Sequence, residues 1–375
     1  MLSGRSAEYG KIASELRSGS NLLLVGPRRI GKTELLKLLC ASPPYETVAV
    51  RVDLEGLGTV ASAVERVSDA LIRAKLIEAS WVAKTWKRIS SLTVKGVAIQ
   101  LHPETQGPWE LLEQCLRKTL AVLGSKKHLA LLLDEVPWWL DALGRIEGNE
   151  AARAALARLR FLRQLEGLAA RSRWVFTGSM GLSSLAQKID AVAEINDLTT
   201  MLLGPLPEED GTALFEAELL ARELNSSAET SLAAYHRAGG SPHWIKQIAV
   251  KVTGARGASV APDAIDRAVD RLLSPQMRHL FHDEGHAHLV RRHPSDVKLL
   301  KTLLAAAAEA EEPLSRTALV SEALNLDSTL GRSGASRAIY VLEDEFYLEE
   351  SYPGGPLRFC NPLFRDWWLR YGSMD

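Results

Sequence analysis

The spacing of apolar and polar positions along this chain changes character twice, near residue 205 and near residue 294. Residues 5–18 follow a helical period and lead into the apolar run Asn21–Val25, after which a glycine-bearing loop and a second helix reach Cys40. Thr47–Leu54 alternates branched with polar residues, the two-residue period of a strand, and ends near Asp53 and Glu55. Helical patterns cover 58–78 and 108–123, and the alternating stretch Leu92–Leu101 between them reads as a strand. His128–Leu133 is continuously apolar, as a strand buried on both faces of a parallel sheet must be. An amphipathic helix over 150–170 and a second short buried strand, Arg173–Thr177, continue the alternation to about Gly204. This order predicts a doubly wound α/β domain over 1–205.

Beyond Pro205 and Pro207 the segments 208–223, 227–238, 242–253 and 262–273 are all helical in pattern, with no buried strand between them. They predict a helical domain over 206–293. The remainder, 294–375, offers helices at 295–309, 315–324 and 335–345, then extended runs at Tyr347–Tyr352 and Leu357–Cys360 around the turn Pro353-Gly354-Gly355-Pro356. Three helices followed by a hairpin is the order of a winged helix.

Composition narrows the class. In 375 residues, 45 Lys plus Arg stand against 46 Asp plus Glu, with 46% hydrophobic and 24% charged residues, which excludes a wholly disordered chain. No apolar run approaches the roughly 18 residues of a membrane span, and the start MLSGRSAEYGK lacks the apolar stretch of a signal peptide. Cys40, Cys115 and Cys360 are far apart and form neither a metal pattern nor a disulfide framework. The expectation is a soluble cytoplasmic protein with no membrane partner. Its near-neutrality is a cancellation, since residues 1–205 carry a net +6 and residues 206–375 a net -7. The near-zero total argues against a surface that coats nucleic acid generally, and the split puts any polyanion on the 1–205 core.

Gly26-Pro27-Arg28-Arg29-Ile30-Gly31-Lys32-Thr33 fits G-x-x-x-x-G-K-[ST] and lies between a strand and a helix, where a phosphate loop must lie. Glycines turn backbone N–H groups toward phosphate oxygens, and the helix N-terminus adds partial positive charge. Lys32 is expected to reach the β- and γ-phosphates and Thr33 to coordinate Mg²⁺, with the phosphate-binding stretch running from Gly26 to Glu34. The apolar strand ending in Asp134-Glu135 supplies a carboxylate for the Mg²⁺ shell and, one residue on, a general base for water. Thr177-Gly178-Ser179 ends the next buried strand, so a hydroxyl there can sense the γ-phosphate. Thr177 and Ser179 both remain open for that role, and Ser179 can equally cap a helix. Gly239-Gly240-Ser241-Pro242-His243 opens a helix beyond the first domain, and by composition alone it is a helix–helix turn. No Asn-Lys-x-Asp base-reading motif is present, which favours ATP over GTP.

In order along the chain, GPRRIGKTELL, DEVPWWL, FTGSMGL and GGSPHWI resemble the archaeal-type ATPases of the STAND branch of AAA+-related P-loop proteins. The end, LEESYPGGPLRFCNPLFRDWWLRY, resembles the winged-helix end of that family. The resemblance implies ATP binding with slow, switch-like hydrolysis. It marks Gly26, Gly31, Lys32 and Thr33 as phosphate loop, Asp134 and Glu135 as Walker B, Ser179 as sensor region and Pro242 as the Gly-x-Pro residue facing the nucleotide. A protein partner or a homo-oligomer is implied with it. Residues 178–221 hold no arginine, so a ring-type arginine finger is not expected, leaving Arg171 and Arg173 as substitutes.

Other features take plainer readings. His279, His282, His286, His288 and His293 suggest a solvated, mildly basic segment. The would-be recognition helix and wing, 333–360, set Arg337 and Arg358 against Glu343, Asp344, Glu345, Glu349 and Glu350, a poor surface for duplex DNA. Arg73, Lys75, Lys84, Lys87, Arg88 and Lys95, interleaved with Trp81 and Trp86, form the one basic aromatic stretch, where DNA contact would be sought first. The pairs Trp138-Trp139 and Trp367-Trp368 read as packing residues.

Overall fold

The computed structural model of the chain describes residues 4–93, 103–178, 181–277, 279–282 and 285–372. Strands β1 (Asn21–Val25), β2 (Thr47–Asp53), β3 (His128–Asp134), β4 (Ser172–Thr177) and β5 (Leu198–Leu202) form one parallel sheet in the order β2-β3-β4-β1-β5. The two-residue period splits its side chains cleanly between two cores. Leu23, Leu129, Leu131, Leu133, Trp174 and Phe176 face the helices Val60–Arg73, Pro103–Leu123, Val136–Glu147 and Asn149–Gln164. Leu22, Leu24, Ala130, Leu132 and Val175 face Ile12 and Leu16 of helix Ser6–Ser18 and Leu35, Leu36 and Leu39 of helix Lys32–Ala41. The continuous apolar runs of β3 and β4 are thus explained by burial on both faces.

Three elements differ from the sequence expectation. β5 was not anticipated, because an edge strand with Thr199, Thr200 and Leu202 exposed carries no continuous apolar signal. Helix Val136–Glu147 begins directly after Glu135, with Pro137 in its first turn where a missing N–H costs nothing. The expected strand over Leu92–Leu101 starts inside a helix: Leu92 and Thr93 close helix Ala79–Thr93, and the rest of that stretch lies outside the described residues.

After Leu206 the chain is mainly helical, as its pattern predicts. Helices Glu208–Leu220, Ala228–Arg237, Pro242–Lys251 and Asp263–Leu272 are joined by one unanticipated two-residue parallel pair, Asn225–Ser226 with Ser259–Val260. Helices Val297–Glu309, Arg316–Leu326 and Gly331–Asp344 precede an antiparallel hairpin, Leu348–Glu350 with Leu357–Phe359, and a closing helix, Pro362–Tyr371. A single apolar cluster runs through this half from Leu206 to Trp368. Stacked rings tie its parts together: Trp244 lies 4.4 Å from Phe281, which lies 6.2 Å from Trp367. No helix among the described residues is long and apolar enough to cross a membrane.

Candidate functional site

The strand order sets the site. β1, which feeds the glycine loop, and β3, which ends in the acid, are not neighbours, and β4 runs between them. The end of β4 therefore lies between loop and acid. Asp134, Thr177, Arg51 and Asp53 all project on the sheet face covered by helix Lys32–Ala41, since each is two or four residues from a side chain buried or packed there.

Gly26 leaves β1 in a conformation no side chain fits: a Cβ would stand 2.4 Å from the Leu203 carbonyl oxygen. Gly31 sits at the N-cap of helix Lys32–Ala41 with φ 106°, a left-handed backbone that favours glycine. No side chain caps that terminus, so its first-turn N–H groups remain for an anion. Ile30 is buried beneath the loop, and its carbonyl accepts from Arg5 Nη2 at 2.8 Å while the same nitrogen donates to Gly204 O at 2.9 Å. The loop is therefore pinned from both flanks.

Lys32 is 6% exposed, and its Nζ donates to the Gly26 and Pro27 carbonyls at 2.6 and 2.8 Å. Burial lowers its pKa to about 8, opposed by the Glu135 and Asp134 carboxylates and reinforced by Arg28. A buried cation whose hydrogen bonds go to neutral carbonyls is poised to accept an anion.

Asp134 is 1% exposed and fully engaged. Its Oδ1 accepts from Thr177 Oγ1 at 2.5 Å, and its Oδ2 accepts from Thr33 Oγ1 at 3.0 Å and from Arg51 Nε and Nη2 at 3.0 and 2.8 Å. Arg51 Nη2 also reaches Asp53 Oδ2 at 2.9 Å. The Thr33 hydroxyl and the Asp134 carboxylate are hard oxygen donors side by side at the mouth of the phosphate loop, a donor set that suits Mg²⁺. Glu135 follows in a left-handed backbone (φ 59°, ψ 39°), an uncommon conformation for a side-chain-bearing residue and of the kind that clusters at functional sites.

The two arginines inside the loop reach across to the C-terminal half. Arg28 Nη2 lies 2.7 Å from His288 Nδ1, and His288 Nε2 lies 2.9 Å from Glu345 Oε2. Arginine can only donate and a carboxylate can only accept, so His288 is neutral, accepting at Nδ1 and donating at Nε2. Arg29 Nη1 lies 2.6 Å from His243 Nε2, which by the same argument is also a neutral acceptor. Both histidines are held down to about pKa 4. For His288 the causes are burial, opposed by the Glu345 hydrogen bond, and then Arg28; for His243 they are burial, Arg29 and Lys246. Arg292 ion-pairs with Glu345 Oε1 in the same buried cluster. Asp344, one residue before Glu345, accepts the Ser184 N–H at 2.8 Å, just beyond the end of β4. A cleft of about 660 Å³ opens beside the loop, bounded by Arg28, Pro205, Ser241, Trp244 and the hairpin residue Tyr352.

The expected residues thus divide. Gly26 to Thr33, Asp134 and Thr177 come together, with Glu135 next in chain. Pro242 opens the helix whose His243 meets Arg29, and Ser241 Oγ donates to Arg29 O at 3.4 Å. Glu34 instead pairs with Lys37 at 2.6 Å, with about half its side chain in solvent. Ser179 lies outside the described residues; between the two hydroxyls left open, Thr177 is the one seen on Asp134. Arg171 and Arg173 are at the amino end of β4, away from the phosphate loop, donating to Lys127 O and Ala169 O at 2.9 and 2.8 Å. His288 corrects the reading of a solvated histidine segment, because it is 2% exposed and bridges two charged groups. Trp139, Trp367 and Trp368 are buried, while Trp138 is partly exposed beneath Arg291.

Sequence reasoning missed Arg51, Asp53, His288 and Glu345. The first two had a visible signal: in TVAVRVD the polar pair 51 and 53 shares a face at the carboxyl end of a strand. The other two had none, since the Arg28–His288 contact spans 260 residues.

No family model matches the chain, and no curated protein matches it. Among solved structures, the chain is similar to a Walker-type ATPase of Pyrococcus abyssi, with TM-score 0.65 and 17% identity over 98% of this chain and 95% of that one. It is also similar to the ORC2 protein of Aeropyrum pernix in its ADPNP–ADP complexes, with TM-score 0.54 and 12% identity over 99% and 93%. At these identities the likeness establishes the fold, which is that of a P-loop NTPase with a helical C-terminal region.

Proposed function

We propose that this chain is an ATP-binding, slowly hydrolysing conformational switch of the STAND type. In this reading an ATPase core (1–205) is closed over by a helical unit (206–293) and a winged helix (294–375). One observation carries it: the two arginines of the phosphate loop, Arg28 and Arg29, each donate to a neutral histidine of the C-terminal half. An anion entering the loop competes for both guanidiniums, so nucleotide occupancy and the seating of the C-terminal half share the same donors. A ligand shifts such an equilibrium by its differential interaction with the two states, and two charge-assisted contacts supply one.

Within the core, Lys32 and the first-turn N–H groups would hold phosphate, and Thr33 with Asp134 would hold Mg²⁺. Bound Mg²⁺ supplies charge neutralisation at the phosphates. Glu135 would take the proton of an attacking water, and Thr177 fixes the Asp134 carboxylate. Hydrogen exchange of helix His286–Arg292 with and without Mg-ATP tests the switch, and increased exchange with nucleotide is expected. Glu135→Gln is expected to lower turnover about 100-fold or more while ATP still binds, as loss of a general base does. Unchanged turnover would remove Glu135 from that role, and a wild-type protein that binds without turnover would make this a nucleotide-dependent scaffold instead.

A second reading, a DNA-associated ATPase, is favoured by helix Ala79–Thr93, where Lys84, Lys87, Arg88 and Trp86 are exposed. It requires binding of double-stranded DNA that weakens steeply with salt and is lost on reversing Lys84, Lys87 and Arg88 together. Salt-independent or absent binding ends that reading.

A further inference from the structure

We infer that Arg51 is a positioning residue that contests Asp134 with the divalent cation and yields it by moving onto Asp53. The inference rests on the reading of Asp134 as the cation's carboxylate and adds a regulator to it.

The geometry is explicit. Asp134 Oδ2 already accepts three hydrogen bonds, two of them from Arg51 Nε and Nη2. Mg²⁺ demands near-octahedral oxygen ligands at about 2.0–2.1 Å. A cation at that distance from the carboxylate would meet a guanidinium already in contact with it, in a site where Asp134 is 1% exposed and water screens little. Guanidinium stays charged at every working pH, so the conflict is relieved only by movement.

The structure supplies both the room and the destination for that movement. Arg51 has 23% of its side chain exposed, and its Nη2 is already 2.9 Å from Asp53 Oδ2, a carboxylate 40% exposed. Strand alternation puts Arg51 and Asp53 on one face of β2, and the parallel register sets Asp53 directly beside Asp134. One guanidinium thus spans two carboxylates, one buried at the phosphate loop and one near solvent. Before the cation arrives, Arg51 neutralises the buried carboxylate; afterwards Asp53 receives it.

The test is the Mg²⁺ midpoint for binding a non-hydrolysable ATP analogue, read by calorimetry, with Mn²⁺ bound to the same complex followed by electron paramagnetic resonance. Arg51→Gln is expected to lower both midpoints about tenfold, a usual size for coupled sites. Asp53→Asn removes the receiving carboxylate and is expected to raise them several-fold. An Arg51→Gln midpoint equal to or above wild type overturns the inference. Should that variant not fold, an unchanged midpoint in Asp53→Asn overturns it equally. Analogue binding by the wild type that is indifferent to divalent cations would overturn the Asp134 assignment together with this inference. Cation dependence that is lost in Asp134→Asn but untouched in Arg51→Gln sinks this inference alone.

Discussion

Replacing Lys32 with Met is expected to weaken ATP binding roughly 100-fold, about 2.7 kcal/mol, while leaving the nucleotide-free protein as stable as before or more so. The two halves of this expectation have one cause. Without ligand, the ammonium is buried against the Gly26 and Pro27 carbonyls, and burial holds its pKa near 8. That depression records a cost to the folded state, which a methionine of similar length does not bear. With phosphate present the same ammonium meets an anion in a dry site, where charge-assisted hydrogen bonds are strongest. The sign of the pH dependence follows. Above about pH 8 the free protein loses the Lys32 proton while the phosphate-bound form keeps it, so affinity falls as pH rises through that region. Calorimetric titration with ATP from pH 7 to 9.5 measures both effects. Lys32→Met should remove the alkaline limb along with the affinity, and a limb that survives in the variant would assign it to another group.

How much of this was legible beforehand depends on how local each cause is. β3 and β4 announce themselves because burial on both faces leaves only apolar residues, whereas β5, at the sheet edge, has no such constraint and reads as loop. The phosphate loop is legible because its backbone demands glycine at fixed spacing, as Gly26 and Gly31 show. The contact of Thr177 with Asp134 needed the strand order, since a β4 lying between β1 and β3 is what puts Thr177 there. Residues 178–221 hold no arginine, and the arginines seen at the phosphate loop and its acid come from elsewhere. Arg51 is on β2, and Arg28 and Arg29 are inside the loop itself. Glu345 shows the limit most plainly. By composition it is one more acid repelling DNA from the end of a helix, yet its side chain is fully buried against Arg292 and His288.

That buried cluster carries the second large expectation. Glu345→Ala should destabilise the protein by about 3–5 kcal/mol, because it leaves the Arg292 guanidinium, itself 4% exposed, without its partner. Burial alone would raise the Glu345 carboxyl pKa, but Arg292, the hydrogen bond from His288 and the nearby His293 overcome it and hold the group far below the ordinary range. Its stabilisation is therefore present above its ordinary value of 4.5 and lost as pH falls below it. His243 and His288 act in the same direction over a higher window. Between their ordinary value of 6.5 and about 4 the unfolded chain binds protons that the folded chain refuses, so acidification destabilises throughout. Unfolding midpoints in urea should fall from pH 6.5 downward, and His288→Gln should remove part of that fall. The double substitution Glu345→Leu with Arg292→Met separates stability from signalling. Replacing both charges with apolar groups should recover most of the lost stability, since neither is left buried alone. It would still deprive His288 of the carboxylate that fixes its tautomer, and with it the acceptor that holds Arg28. A restored protein that binds ATP more tightly than wild type places the Glu345–His288–Arg28 chain in opposition to nucleotide. A restored protein with wild-type affinity would reduce the chain to packing, and the switch would have to run through Arg29 and His243 alone.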